Sequence, residues 1–165
     1  METPVVETIL NFLKTIGLEY ILRTIDEPTV LPGIWLENGR LVIDTEKLTY
    51  PGDLLHEAGH LAVVPPDVRK AMSGKLPGND MHHGGEIMAF AWSYAACVHL
   101  GLPPGLVFHD GGYHGGSNNI LDNFLNGEPI GVAGLQWLGM TYEQRNAEKL
   151  NTLAYPNMIF WVREK

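Results

Sequence analysis

Apolar residues recur every three or four positions from Val5 through Ile9, Phe12 and Leu13 to Ile16, where Gly17 interrupts the stripe. With Thr3 as a side-chain cap and Pro4 at the first helical position, this predicts a helix ending at Gly17. Leu18 to Ile25 is rich in Tyr, Ile and Thr, whose branched or aromatic side chains after the glycine break predict a strand. Ile34–Glu37 and Arg40–Ile43 flank Asn38-Gly39, the pair that best tolerates the positive φ angles of a type I′ turn, and read as a hairpin. Pro51-Gly52 then opens a helix with Leu54, Leu55, Ala58, Leu61 and Ala62 on one face, closed before Pro65-Pro66.

Beyond it, Val68–Met72 reads as a short helix and residues 73–85 as a polar, Gly-containing connection. Glu86 begins a strongly apolar helix that ends near Gly101. Residues 107–119 contain Phe108-His109-Asp110-Gly111-Gly112-Tyr113-His114-Gly115-Gly116-Ser117, too rich in glycine for regular structure, and predict a mobile wall. A helix over Ile120–Leu125, another opened by the capping pair Thr141 and Gln144 and ending at Leu150, and a last strand over Asn157–Val162 complete the pattern. The fold class that follows is α+β: a small antiparallel sheet or hairpin packed on the Leu54–Ala62 helix and on a second, central apolar helix. A length of 165 residues makes a single domain over residues 1–165 the expectation.

Charge narrows the partners. A formal net charge of -8 lacks the concentrated Lys and Arg that phosphate binding needs, so no nucleic-acid partner is expected. The longest apolar run, Ile87 to Val98, is shorter than the ~20 residues that cross a bilayer, which predicts a buried helix and no membrane partner. No basic segment leading into an apolar core is visible at Met1-Glu2-Thr3-Pro4, and a cytoplasmic location is expected. The single cysteine, Cys97, lies among Tyr94, Ala95, Ala96 and Val98 and reads as a small buried hydrophobe.

The candidate chemistry lies in the helix after the hairpin. His56 and His60, four residues apart, present their imidazoles to one side and can hold one ion, for which zinc is suited. Glu57, about 100° around the axis, is placed to reach a water in an open coordination position as a general base. The competing reading is a solvated face, because Asp53, His56, Glu57 and His60 form a polar stripe opposite the apolar one. Glu86 shares a stripe with Phe90, Ser93 and Cys97, so its carboxylate faces whatever that stripe packs on. Its alternative role is to complement a helix N-terminal dipole. His109, Asp110 and His114 compete with Glu86 as third ligand. His82-His83 is a candidate for gating or adventitious metal binding or a solvated pair, and His99 is expected to be structural.

His56-Glu57-Ala58-Gly59-His60, preceded by Leu54-Leu55 and followed by Leu61, resembles the active-site helix of the zincin metallopeptidase superfamily. The likeness covers one helix and extends at most to the preceding ribbon. Val63 and Pro66 stand where the metzincin branch has a Gly and a third His, which excludes that branch. The gluzincin branch takes its third ligand from a Glu on a later helix, and Glu86 is similar in placement. The resemblance implies a zinc-dependent hydrolase in which Glu57 activates water toward a peptide or amide carbonyl and Tyr113 or His114 stabilises the oxyanion. It also implies that the hairpin supplies the edge along which an extended substrate lies. Two other functions compete: a zinc-binding or interaction module without turnover, and a hydrolase of a small non-peptide molecule with Trp92, Tyr94 and Trp137 lining its pocket.

Overall fold

The computed structural model describes residues 3–74, 80–112 and 115–165, with side chains of the helix that begins at Asp80 described from residue 84 onward. Helix α1 (Pro4–Ile16) starts and stops as expected: the Thr3 hydroxyl accepts the Val6 N–H at 3.3 Å, and Gly17 turns left-handed at φ 84°. Its stripe buries Ile9 and Leu13 completely.

A three-stranded sheet follows, in the order β1-β3-β2 (β1 Tyr20–Leu22, β2 Ile34–Glu37, β3 Arg40–Ile43). The hairpin β2–β3 is antiparallel, with Asn38 at φ 51° and Gly39 at φ 76° as a type I′ turn requires. The sheet as a whole is mixed rather than antiparallel, because β1 runs parallel to β3 in the register Tyr20↔Leu41. The central strand hides Leu41, Val42 and Ile43 entirely.

Helix α2 (Gly52–Ala62) carries the His-Glu pattern, and every residue of it except Glu57 is buried. That removes the solvated-face reading: Asp53, His56 and His60 are only 7%, 7% and 5% exposed, and buried polar groups need partners. Two glycines allow this depth. A Cβ at Gly52 would lie 1.9 Å from the Leu106 carbonyl oxygen, and one at Gly59 would lie 3.2 Å from the Ala89 Cα of the next long helix.

After the short α3 (Pro66–Lys70), helix α4 runs from Asp80 to Leu100, six residues earlier than Glu86. Gly84 and Gly85 therefore sit inside a helix; two glycines cost about 1 kcal/mol each there, less than the packing of α4 on α2 returns. A 3-10 turn (Pro104–Leu106) leads to irregular chain and then α5, which begins at Ser117 rather than Ile120 and ends at Leu125. Helix α6 (Val132–Trp137) has no counterpart among the expected elements. Helix α7 (Gln144–Leu150) has Glu143, not Thr141, at its N-cap position, with no side-chain capping bond; Thr141 is fully buried and its hydroxyl donates to the Asn157 carbonyl at 2.7 Å.

The expected strand over Asn157–Val162 is irregular chain tied down piecemeal: Ile159 N–H donates to the Met140 carbonyl, and the Trp92 indole N–H to the Trp161 carbonyl. Arg69 pins this segment to the end of α2 by donating to the Leu61, Val64 and Arg163 carbonyls. Cys97 is buried, and burial pushes its thiol up to about 12. His99 packs against Phe12 and Trp161 at centroid distances of 5.7 and 5.2 Å, the structural role expected of it. Among the described residues no helix is long and apolar enough to cross a membrane.

Candidate metal centre

Helices α2 and α4 face each other across the Gly59–Ala89 approach, and this sets two α2 histidines opposite one α4 carboxylate. Because His56 and His60 are one turn apart, their rings project side by side, with Nε2 atoms 3.1 Å apart and ring planes at 87°. Glu86 completes the triangle, its Oε1 3.2 Å from His56 Nε2 and its Oε2 2.8 Å from His60 Nε2. Glu86 lies six residues into α4, beyond the first turn where a helix dipole acts, so dipole complementation does not account for its position. Phe90, one turn on, packs on the His56 ring at 5.7 Å.

The triangle fits a divalent metal. Ligand atoms from all three residues lie within 4.8 Å of one another. Two donors on one tetrahedral zinc, each about 2.05 Å from it, stand about 3.3 Å apart, close to the spacings here. Hydrogen bonding alone serves the triangle poorly: if both Nε2 atoms carry protons for Glu86, two N–H donors confront each other at 3.1 Å.

Charge is balanced between the helices. Burial disfavours charged His56, but its hydrogen bond to Glu86 and the negative charges of Glu57, Glu86 and Asp53 outweigh burial and raise its pKa above 6.5. Burial also opposes the Glu86 carboxylate, yet hydrogen bonds and charge from His56 and His60 hold it well below its ordinary 4.5.

The triangle opens onto a cleft of about 620 Å³. Its other walls are the Val30–Pro32 segment before β2, Tyr50, and the chain at His109, Gly111 and Gly112. Glu57 stands at the cleft as the one residue of α2 that is not buried.

Of the competing third ligands, His109 is engaged elsewhere: its Nε2 meets Asp53 Oδ1 at 2.7 Å and its ring stacks on Tyr50 at 3.9 Å. Asp110 is exposed and outside the cluster, and His114, like Tyr113, lies outside the described residues. The same holds for the side chains of His82 and His83. The aromatic residues expected around a small-molecule pocket do not line this cleft: Trp92 is fully buried in the core, Tyr94 stacks on Phe124, and Trp137 is 90% exposed beside the C-terminus.

Sequence reasoning missed two parts of the cleft. The Asp53–His109 contact spans 56 residues and left no local trace, although Asp53 sits on the histidine stripe. The Val30–Pro32 wall carried a usable signal, three apolar residues just ahead of Gly33 and the hairpin. No protein-family description matches the chain, and comparison with curated proteins and with solved structures returns no significant match.

Proposed function

We propose that the chain is a single zincin-like domain that binds one zinc ion through His56, His60 and Glu86 and hydrolyses a peptide or amide bond. The observation that supports this most directly is the convergence of three ligand atoms at a cleft where a second glutamate, Glu57, is left outside the ligand set. Three protein ligands with one open side are the arrangement of a catalytic rather than a structural zinc site. Zinc bound there would supply Lewis acidity, polarising a carbonyl and making water acidic enough to ionise near neutral pH. Glu57 accepts the proton of the attacking water and returns it to the leaving nitrogen, so the carboxylate ends as it began. Tyr113 and His114 directly follow the cleft-lining Gly111 and Gly112 in the chain, which supports one of them as hydrogen-bond donor to the developing oxyanion.

One observation favours a short substrate. The Leu36 carbonyl on the outer edge of β2 already accepts the Gly74 N–H at 2.8 Å, so a long peptide strand does not pair along the whole edge.

The test is zinc stoichiometry and hydrolysis of a short-peptide library, compared between wild type and Glu86→Ala. The reading expects one zinc per wild-type chain, cleavage by wild type, and loss of both in Glu86→Ala. Zinc-loaded wild type that cleaves nothing would leave a binding module, and wild type that takes up no zinc would end the hypothesis altogether.

A further inference from the structure

Helix α2 runs out against Pro65 and Pro66, which leaves its last turn short of donors. In a continuing helix the Leu61 and Ala62 carbonyls would accept from the amides of residues 65 and 66, and proline has none. Leu61 and Ala62 are fully buried, so water does not make up the loss. Two arginines from outside the helix do. Arg69, on α3, donates through Nε to the Leu61 carbonyl at 2.6 Å and through Nη2 to the Val64 carbonyl at 3.0 Å. Arg163 gives its backbone N–H to the Ala62 carbonyl at 2.8 Å and its Nη1 to the Val63 carbonyl at 3.4 Å. Every carbonyl from Leu61 to Val64 is thus taken by one of these two residues, whose positive charge also suits a helix C-terminus. Arg69 Nη2 donates further to the Arg163 carbonyl at 2.7 Å, which joins the two into one unit.

The same C-terminal segment grips the second ligand-bearing helix. Trp92, fully buried on α4, donates its indole N–H to the Trp161 carbonyl at 2.8 Å, and the two indoles meet edge to face at 5.5 Å. Residues 161–163 therefore bridge the end of α2 to the middle of α4. The ligands sit where this bridge bears on them. His60 lies in the last turn of α2, next to Leu61, whereas His56 lies one turn earlier, and Glu86 is on α4. Fraying of that last turn displaces His60 before His56. The 2.8 Å separation of His60 Nε2 from Glu86 Oε2 then holds only while the turn and the two helices keep their places.

We propose that Arg69 and Arg163 are positioning residues of the metal centre: they hold the last turn of α2, and with it His60, at the distance from Glu86 that a shared ion needs. The inference rests on the zinc-binding part of the reading above and extends it to two residues that act on the ion only through His60. Because coupling between two binding events is reciprocal, zinc in turn tightens the hold of residues 161–163 on α2.

The test is zinc affinity, measured by competition with a chromogenic chelator on protein shown to be folded by circular dichroism. Arg69→Met removes three of the bonds, and Arg163→Pro removes the amide given to Ala62. Leu10→Ala, which opens a buried cavity in α1 instead, controls for lost stability. Arg69→Met should weaken zinc binding by ~10-fold or more, as loss of an outer-shell partner does, and shift the visible spectrum of the cobalt-loaded protein. Arg163→Pro changes both in the same direction, Arg69→Lys recovers part of the affinity, and Leu10→Ala binds zinc as wild type does. In wild type, zinc slows hydrogen exchange at the Arg163 amide. Unchanged zinc affinity and cobalt spectrum in folded Arg69→Met would overturn the positioning role while leaving the zinc centre standing, and so would an equal loss in Leu10→Ala. Should Arg69→Met not fold, Arg163→Pro decides by the same readings. Wild type that binds no zinc would end the metal reading itself, and this inference with it.

Discussion

Two histidine–carboxylate constellations line the same cleft, and they differ in how many ligand atoms converge. At Asp53 and His109, one imidazole nitrogen meets one carboxylate oxygen at 2.7 Å and Tyr50 covers the ring, while the Nδ1 of His109 is buried without a hydrogen-bond partner among the described residues, so the contact is one-to-one. At His56, His60 and Glu86, three ligand atoms crowd one point with more donor or acceptor capacity than their mutual contacts use well. The first arrangement ties the chain at His109 to α2; the second is suited to a cation. Burial separates them only at Glu86, which is 37% exposed, since the side chains of Asp53, His56, His60 and His109 are all at most 13% exposed. Convergence separates them, and convergence is set by helix geometry: residues four apart on α2 against one on α4, compared with a single residue reaching across from a loop.

The sharpest way to break this comparison is to remove one imidazole from each constellation. His56→Ala should lower zinc affinity by at least ~100-fold, more than outer-shell changes cost in metal sites, whereas His109→Phe should keep one zinc per chain. Equal zinc loss in both variants, measured by metal analysis after dialysis, would mean that the two groups form one site. Glu57→Gln divides binding from chemistry: zinc content stays at the wild-type value while turnover falls by about 10²–10⁴, the range for loss of a general base. A Glu57→Gln protein with full activity would remove Glu57 from the mechanism.

Acidity is a milder probe of the same contrast. In metal-free protein the pKa of His56 is raised above 6.5, so its stabilising contribution is complete below 6.5 and is lost as pH rises through the raised value. Glu86 is depressed below 4.5, so its contribution is present above 4.5 and is lost as pH falls through the lowered value. The pair therefore stabilises the metal-free fold most between those two ordinary values. Zinc demands the neutral imidazole, so its affinity should fall about tenfold per pH unit for each proton displaced as pH drops below the raised His56 value. Zinc titrations with the same slope in His56→Ala and wild type would contradict this origin.

The parts of the molecule legible in the sequence are those fixed by neighbours in the chain. Thr3, Pro4 and Gly17 delimit α1, and Asn38-Gly39 fixes the hairpin, because each acts through its own backbone angles. The spacing of His56 and His60 likewise dictates that their rings lie together. Long-range packing was not legible. The parallel pairing of β1 with β3 has no turn to announce it, and Thr141, which looked like a cap, is drawn into a buried bond to Asn157. Glycines at 84 and 85 looked like a helix break, but the contact of α4 with α2 overrides a local preference of about 1 kcal/mol. Glu86 was found because its stripe with Phe90, Ser93 and Cys97 depends only on helical period, which holds wherever the helix begins.

The smallest expected effect tests whether Asp53 and His109 serve only as a tie. His109→Phe keeps a ring against Tyr50 but leaves the Asp53 carboxylate, 7% exposed, without its imidazole. Stranding a buried polar partner costs about 1–3 kcal/mol, read as a lower denaturant midpoint with an unchanged slope. Adding Asp53→Leu removes the stranded group itself, so the double variant should recover most of that loss. Non-additivity of this kind identifies a pair whose value is mutual satisfaction. If His109→Phe leaves stability untouched but lowers turnover at full zinc occupancy, the imidazole acts on substrate and the Asp53–His109 pair is part of the chemistry.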